Sequence, residues 1–274
     1  MASIEIHPKF KKMLKKLDNL KEQLSVIIED REYLIYHKAV YLETEYINKV
    51  GKLEYELFKL ECNISRIRRK IAMVQAAINL QEPINEIEID EELDKEYEEY
   101  IKELEKMSKD MELANYLNNC GTLTGEEVSV LKKLYRKLVK RLHPDLNPSM
   151  TKEQKALWVK VNDAYESTDI EMLKILYEFT MEYEPLESYD DINMIEELEE
   201  KVGFFKKKIM DMLLEIEKIQ EGFPFNMVEF LKDEEEVHKK QKQLKESIQG
   251  GRTILKELEG YLSMIMTDTG GILN

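Results

Sequence analysis

The chain has 274 residues, a formal net charge of -15 at pH 7, 43% hydrophobic residues and 35% charged residues. This length allows one or two domains. The acidic balance argues against non-specific nucleic-acid binding by the chain as a whole, although it leaves room for a local basic surface. A content of 10 glycines and 6 prolines favours long uninterrupted helices.

The cysteines and the N-terminus restrict the class of protein further. Cys62 and Cys120 are far apart and form no Cys-x-x-Cys pair, so neither a disulfide framework nor a zinc site is expected. The start MASIEIHPKFKKMLKK has no apolar signal core. No segment approaches the ~18 apolar residues that a membrane-spanning helix needs. We therefore expect a cytoplasmic protein with reduced thiols and no membrane contact.

Residues 1–114 are predicted to form an N-terminal hairpin of long, coiled-coil-like helices. Their apolar residues recur in steps of three and four, which is the pattern of a heptad repeat. The repeats before and after Arg31–Tyr41 differ in phase, so a shift or break is expected there. Pro83 marks a turn, and a second heptad helix follows it, which predicts an antiparallel partner.

Residues 190–266 repeat this pattern and predict a second antiparallel helical hairpin. Its turn falls at Gly222–Asn226, and its last helix contains Gly250-Gly251, where an interruption or kink is expected. Residues 267–274 are interpreted as a frayed tail. The predicted fold is therefore all-α, with elongated helical hairpins on either side of a central unit.

That central unit covers residues 115–184 and is predicted to contain short amphipathic helices. Capping boxes at Thr124, Thr151 and Thr168 predict three helix starts. The first of these helices should end at Pro144, because the residue before a proline resists the α region.

The first helix of the central unit is strongly basic. Its six cations are not interrupted by any acidic residue, and they are Lys132, Lys133, Arg136, Lys137, Lys140 and Arg141. Lys132, Arg136 and Lys140 lie on one helix face. An apolar stripe on another face is formed by Leu131, Leu134, Leu138 and Leu142. A basic face repels itself, so it is more useful against an acidic partner.

The basic helix leads directly into His143-Pro144-Asp145. A tripeptide alone is a weak signal, but its surroundings strengthen it. The tetrapeptide Tyr135–Leu138 reads YRKL before it, and Trp158, Val161, Ala164 and Tyr165 follow it. Together with Tyr116, Leu117 and Gly121, these residues make the stretch from about Asn115 to Phe179 resemble the J-domain of DnaJ-type co-chaperones.

The resemblance implies a partner, which is a DnaK-type 70-kDa heat-shock chaperone. In the family, the basic helix docks on an acidic surface of the chaperone's nucleotide-binding domain, and the H-P-D loop stimulates ATP hydrolysis by the chaperone. If these roles carry over to this chain, His143, Pro144 and Asp145 would stimulate ATP hydrolysis by the chaperone. The six cations would dock on the acidic surface of its nucleotide-binding domain. The resemblance implies no catalytic residue, cofactor or metal in this chain, which would not itself be an enzyme.

The sequence also departs from the family pattern. Leu146 stands where the family commonly has a lysine. The short helix that precedes the basic helix in the family is expected here to be joined to the arm that ends near Leu117. The family's usual S-D-P-x-K-R start of the fourth helix is absent, and so are a Gly/Phe-rich linker and Cys-rich zinc repeats. With these departures, the chain resembles the class of co-chaperones that share only the J-domain with the rest of the family. In such a protein the helical arms would bind an unknown client or target the protein to its site of action.

Two other interpretations remain open. The heptads cover more of the chain than the J-like unit does, so the protein could be a coiled-coil scaffold, with possible homo-oligomers, that keeps a degenerate J-like module. Nucleic-acid binding by the basic helix is disfavoured, because the rest of the chain is acidic and no aromatic residues interleave on the basic face of the helix. Glu235-x-x-His238 has the spacing of a di-iron helix motif, but a single copy is better explained as a solvated helix face.

Overall fold

A computed structural model describes residues 8–120, 123–180 and 194–268, and all regular secondary structure in these ranges is helical. The predicted all-α class is confirmed. Within the same ranges, no helix combines the length and the apolar character that crossing a membrane requires. The chain divides into two compact units, one of Met1–Tyr41 with Thr122–Asn226 and one of Leu42–Gly121 with Met227–Asn274.

This division differs from the predicted segments. The segment 1–114 is divided after Tyr41, residues 115–121 belong with the second unit, and the segment 190–266 is divided after Asn226. Heptad seams do not encode which other seam they pack against, so a helix that follows another in sequence need not be its partner in space. The predicted boundaries at 184 and 190, and residues 269–274 of the predicted tail, lie outside the described residues.

In the part of the chain that the structure describes, the first unit is built mainly from α1 (Pro8–Tyr33), α6 (Gly125–Leu142), α7 (Lys152–Glu166), α8 (Ile170–Phe179) and α9 (Met194–Glu221). Helix α1 packs against both α9 and α6, while α6, α7 and α8 pack against one another. The basic helix α6 is therefore surrounded by elements from both parts of the chain that build this unit.

Helix α1 belongs to the hydrophobic core of the first unit. Leu17, Leu24 and Ile28 are 0% exposed and share one cluster with Leu131 and Tyr135 of α6. A fully buried aliphatic side chain contributes about 1.5–3 kcal/mol, so α1 is held in place by several such contributions.

A π-helical segment, Leu34–Lys38, follows α1 directly. The helix continues through α2 (Ala39–Tyr46) and a second π-helical segment, Ile47–Gly51, into α3 (Lys52–Leu80). A π-helical turn holds more residues than an α-helical turn, so it rotates the apolar face. The first segment accounts for the phase shift that was predicted near Arg31–Tyr41, whereas the second was not anticipated.

The second unit is built on α3. Its other helices are α4 (Glu86–Glu96), α5 (Glu98–Cys120), α10 (Val228–Lys232) and α11 (Glu234–Asp268), and a 3-10 turn, Phe225–Met227, precedes α10. Helix α3 ends at the left-handed residue Gln81, close to the predicted turn at Pro83, and α4 and α5 return along it.

The long C-terminal helices pair differently from the prediction. Helix α9 packs along α1, and α11 packs along α3, so the predicted hairpin over 190–266 is not the pairing found. Helix α11 also runs through Gly250-Gly251 without interruption. A Cβ atom on Gly251 would lie 2.6 Å from Leu60 Cδ2. This glycine therefore allows close approach of two helices, and the predicted interruption is wrong.

Candidate functional site

Helix α6 begins and ends where the sequence predicts. The backbone N–H of Thr124 donates to Glu127 Oε2 at 2.8 Å, and Thr124 Oγ1 accepts from the N–H of Glu127 at 3.2 Å. This capping box is complete. At the other end, His143 has extended backbone angles, with φ -72° and ψ 130°, as expected for the residue before Pro144.

Helix α7 packs antiparallel to α6. The Tyr135 hydroxyl donates to Asn162 Oδ1 at 3.0 Å, and the Tyr135 ring stacks on Tyr165 with centroids 3.8 Å apart. Nearer the loop, the ring centroids of His143 and Trp158 are 5.1 Å apart. Positions later in α6 therefore meet positions earlier in α7, and the H-P-D loop lies at one end of this pair.

The starts of the two following helices differ in how well they were predicted. The capping box at Thr151 is present. At α8 the capping residue is Asp169, whose carboxylate accepts from the N–H of Met172 at 2.8 Å. Thr168 has φ 57° instead, a left-handed conformation that ends the preceding turn, so the capping box predicted at Thr168 is wrong.

The H-P-D loop is an ordered turn. The carbonyl of His143 accepts backbone hydrogen bonds from Leu146 and Asn147 at 3.0 and 2.9 Å. His143 Nδ1 accepts from the N–H of Asp145 at 3.1 Å, which places the proton of the neutral ring on Nε2. Pro144 is exposed at the turn. The loop thus presents a proline ring while the imidazole packs inward.

Burial governs the protonation of His143. Removal from water lowers the pKa of His143 to about 4, an effect that Asp145 opposes and that Arg31 and Lys208 reinforce. The imidazole is therefore neutral at physiological pH.

The carboxylate of Asp145 already has a cationic partner. Lys208 on α9 donates to both oxygens, at 3.2 and 3.1 Å. The side chains of Lys208 and Asp145 are 37% and 30% exposed, so water reaches this ion pair. Sequence reasoning missed Lys208, because nothing in its local sequence distinguishes it from the lysines beside it.

Three of the six predicted docking cations are paired with carboxylates of α1. Glu29, whose side chain is 0% exposed, lies 3.2 Å from Lys132 Nζ and 3.1 Å from Arg136 Nη2. Lys132 also lies 3.5 Å from Asp30, and Lys140 pairs with Glu22. Helical spacing predicts that Lys132, Arg136 and Lys140 lie on one face, and the structure brings that face against α1.

The other three cations lie in different surroundings. Lys137 Nζ and the Arg141 guanidinium lie 4.7 and 4.4 Å from the centroid of the Tyr177 ring. Arg141 also donates to the Tyr177 carbonyl at 3.0 Å. Lys133 is exposed and has no ion-pair partner in the described part of the chain. The six cations therefore do not form one uniform surface.

The predicted core of this site is largely present. Leu131, Leu138, Leu142, Val161 and Tyr165 are buried, and Leu134 and Trp158 are partly buried. Tyr135 and Val139 are buried as well, although they were not placed in the predicted core.

The predicted first helix of the J-like unit lies elsewhere. Tyr116 is 66% exposed on α5, within the second unit. Helix α1 packs on α6 in the first unit, so the cover of α6 comes from a remote part of the chain.

Comparisons of the chain with protein-family models, with curated proteins and with solved structures find no match. Among the residues that the structure describes, no group of three or more His, Cys, Asp and Glu side chains could hold a metal ion. The function must therefore be inferred from the residues and geometry of this chain.

Proposed function

We propose that this protein is a co-chaperone that docks on a DnaK-type 70-kDa heat-shock chaperone and stimulates its ATP hydrolysis. The observation that carries the proposal is the antiparallel pair of α6 and α7 with His143-Pro144-Asp145 in the turn at its end. The sequence around this turn resembles the J-domain, and the structure gives the turn a fixed shape.

A fixed turn is useful for docking because it loses little conformational freedom on binding. Pro144 restricts its own φ angle, and the hydrogen bond from the Asp145 N–H to His143 Nδ1 closes the turn at 3.1 Å. The loop therefore presents Pro144 and the edge of Asp145 in a defined arrangement.

The charge of α6 favours an acidic partner. After Glu127 this helix contains cations but no acidic residue, within a chain of net charge -15. A local basic surface on an acidic protein attracts an acidic surface and fixes its orientation. On this proposal the ATPase chemistry belongs to the chaperone, and this chain is not an enzyme and holds no cofactor.

The rest of the chain would supply specificity. The second unit offers long helices with exposed apolar side chains, including Leu80 at 67% and Ile87 at 72% exposure. We assign to this unit the binding of a client protein or the targeting of the co-chaperone within the cytoplasm.

A second candidate function is a scaffold in which the J-like module serves only to pack helices. It is favoured by the ion pairs of Lys132, Arg136 and Lys140 with α1 and of Asp145 with Lys208. In such a scaffold these charges would stabilise the fold through ion pairs within the chain, and no partner protein would be required.

Steady-state ATP turnover by a DnaK-type chaperone, measured with increasing amounts of the full chain, tests the proposal. Wild-type protein should raise the turnover rate, and His143→Gln or Asp145→Asn should return it to the basal rate. The matched control is Ser149→Ala, which changes an exposed residue of the same loop. Absence of stimulation by the wild type across several such chaperones would refute the co-chaperone function.

The scaffold alternative makes a different prediction for the same variants. Self-association, measured by sedimentation velocity, should then be present in the wild type and unchanged by His143→Gln and Asp145→Asn. Stimulation of ATP turnover that depends on His143 would contradict the scaffold.

A further inference from the structure

We propose that the acidic partner docks on an outer stripe of α6, formed by Val130, Lys133 and Lys137, and not on the face that carries Lys132 and Arg136. This inference rests on the function proposed above and names the surface that would perform it. It follows from what each face of α6 contacts within the first unit.

The face with Lys132 and Arg136 is already occupied by α1. Both cations reach the carboxylate of Glu29, which is 0% exposed. Lys132 Nζ also lies 4.1 Å from the centroid of the Tyr33 ring. An acidic surface of a partner could reach these two cations only after α1 had moved away from α6.

Such movement is opposed by the core. Leu17, Leu24 and Ile28 of α1 are 0% exposed and lie in one hydrophobic cluster with residues of α6, so separating α1 from α6 would open this cluster to water. Helix α1 is further linked to α9 by the ion pairs Arg31–Glu215 and Lys9–Glu199, each 3.2 Å long. We therefore regard α1 as a permanent part of the unit and its pairs with α6 as structural.

The outer stripe is exposed to solvent and is not covered by α1. Val130, Lys133 and Lys137 are spaced three and four residues apart, which places them on one side of the helix. Val130 is 39% exposed, and both lysines are exposed. Neither lysine has an ion-pair partner in the ranges 8–120, 123–180 and 194–268.

The neighbouring helix supports this stripe without neutralising it. Lys137 Nζ lies 4.7 Å from the Tyr177 ring centroid, and an aromatic ring positions a cation while leaving its charge in place. Pro144, which is exposed, follows the C-terminal end of the same helix. The stripe and the loop can therefore meet one partner together.

The kind of partner follows from this composition. Two uncompensated ammonium groups beside a small apolar side chain suit an acidic protein surface that has a small apolar contact. Because both lysines are exposed, salt should screen their attraction strongly. We expect docking to weaken as ionic strength rises.

The experiment measures the dissociation constant between the full chain and the isolated nucleotide-binding domain of a DnaK-type chaperone, together with stimulation of the intact chaperone. The outer variant combines Lys133→Gln with Lys137→Gln, and the inner variant combines Lys132→Gln with Arg136→Gln. Each removes two cations from the same helix. The fluorescence of Trp158, the one tryptophan of the chain, reports whether the first unit is folded in each variant.

We expect the outer variant to keep the wild-type unfolding midpoint and to weaken binding by about tenfold or more, since each lost charge pair reduces electrostatic attraction. The inner variant should unfold more easily and, while folded, should bind within about twofold of the wild type. If the inner double variant does not fold, Lys132→Gln alone replaces it, because Arg136 then still pairs with Glu29.

Loss of binding in a folded inner variant, with normal binding by the outer variant, would overturn this inference and would indicate that α1 moves aside during docking. In that case stimulation by the wild type would still support the proposed function. A wild type that neither binds nor stimulates would refute both.

Discussion

Lys208 Nζ lies 3.2 and 3.1 Å from the two carboxylate oxygens of Asp145. The last residue of the H-P-D loop is therefore held by a cation from α9, a helix that follows the central unit in sequence. Since both side chains are about one-third exposed, the ion pair is worth roughly 0.2–1 kcal/mol. A bond of this strength can exchange for a contact with a partner.

Replacing Lys208 by Met removes the ion pair that holds Asp145, so the carboxylate should be freer to contact a partner protein. If the carboxylate contacts the chaperone, Lys208→Met should lower the protein concentration that gives half-maximal stimulation by up to about fivefold, which corresponds to the upper end of the strength of an exposed ion pair. The measurement is ATP turnover by the chaperone as a function of the concentration of this protein.

The control for this change is Lys206→Met, which removes a positive charge from an exposed position of the same helix. An equal effect of both variants would show that overall charge, and not the pair with Asp145, is responsible. No effect of Lys208→Met would indicate that Asp145 does not need to leave Lys208.

Glu29 should be important for the stability of the first unit. Its side chain is 0% exposed and accepts from Arg136 at 3.1 Å. Glu29→Gln removes the charge that Lys132 and Arg136 share, and we expect the free energy of unfolding to fall by about 1–3 kcal/mol. The loss should be smaller than the ~3–5 kcal/mol seen when a fully buried ion pair is broken. The reason is that the side chains of Lys132 and Arg136 are 26% and 37% exposed and can turn to water.

Urea unfolding followed by the fluorescence of Trp158 measures this change. The matched control is Asp30→Asn on the same helix, whose side chain is 52% exposed and lies 3.5 Å from Lys132. It should alter the free energy of unfolding by less than about 0.5 kcal/mol. Equal losses in Glu29→Gln and Asp30→Asn would contradict a special role for the buried carboxylate.

The limits of α6 could be predicted because they depend on neighbouring residues. The Thr124 capping box and the stop before Pro144 involve groups a few positions apart, whose preferences are local. The buried stripe through Leu131 and Leu138 follows from helical periodicity. Such features can be found in a single sequence.

The partners of α6 could not be predicted in the same way. The apolar residues Leu17 and Leu24 indicate that α1 buries one face, but any other heptad helix could have covered it equally well. Glu29 is an ordinary acid in an acidic chain until α1 is placed on α6, where it pairs with Arg136. The six predicted docking cations are therefore more uniform in the sequence than in their structural surroundings.

The stability of the first unit should depend on pH through two histidines. Burial lowers the pKa values of both His37 and His143 to about 4, from 6.5, and Lys132 adds to the effect on His37. Between pH 6.5 and about 4 the unfolded chain binds protons that the folded chain does not, so stability falls as the pH decreases through this window. Above it, these groups make no further difference.

Each histidine should contribute up to about 1.4 kcal/mol per pH unit within that window. Unfolding free energies from Trp158 fluorescence at several pH values measure the slope. His37→Gln should reduce it, whereas the comparison variant His238→Gln removes an exposed imidazole from α11 in the other unit. Equal slopes in these two variants would contradict the assignment to His37.

The two adjacent glycines of α11 should respond oppositely to alanine. A Cβ on Gly250 would have nothing within 4 Å, whereas one on Gly251 would lie 2.6 Å from Leu60 Cδ2. Gly250→Ala should therefore stabilise the second unit by about 0.5–1 kcal/mol, through helix propensity. Gly251→Ala gains the same propensity but overpacks a site beside Leu60, which costs about 1–3 kcal/mol, so its net effect should be destabilising.

Thermal unfolding followed by far-ultraviolet circular dichroism separates the two glycine variants. Leu60→Ala provides the decisive background, because it removes the Cδ2 atom that a Cβ at position 251 would meet. In that background Gly251→Ala should become stabilising, with a coupling energy of about 1–3 kcal/mol between the two positions, which is the overpacking cost that Leu60→Ala removes. If Gly251→Ala is as stabilising as Gly250→Ala in the wild-type background, α3 and α11 do not approach as closely as Gly251 allows.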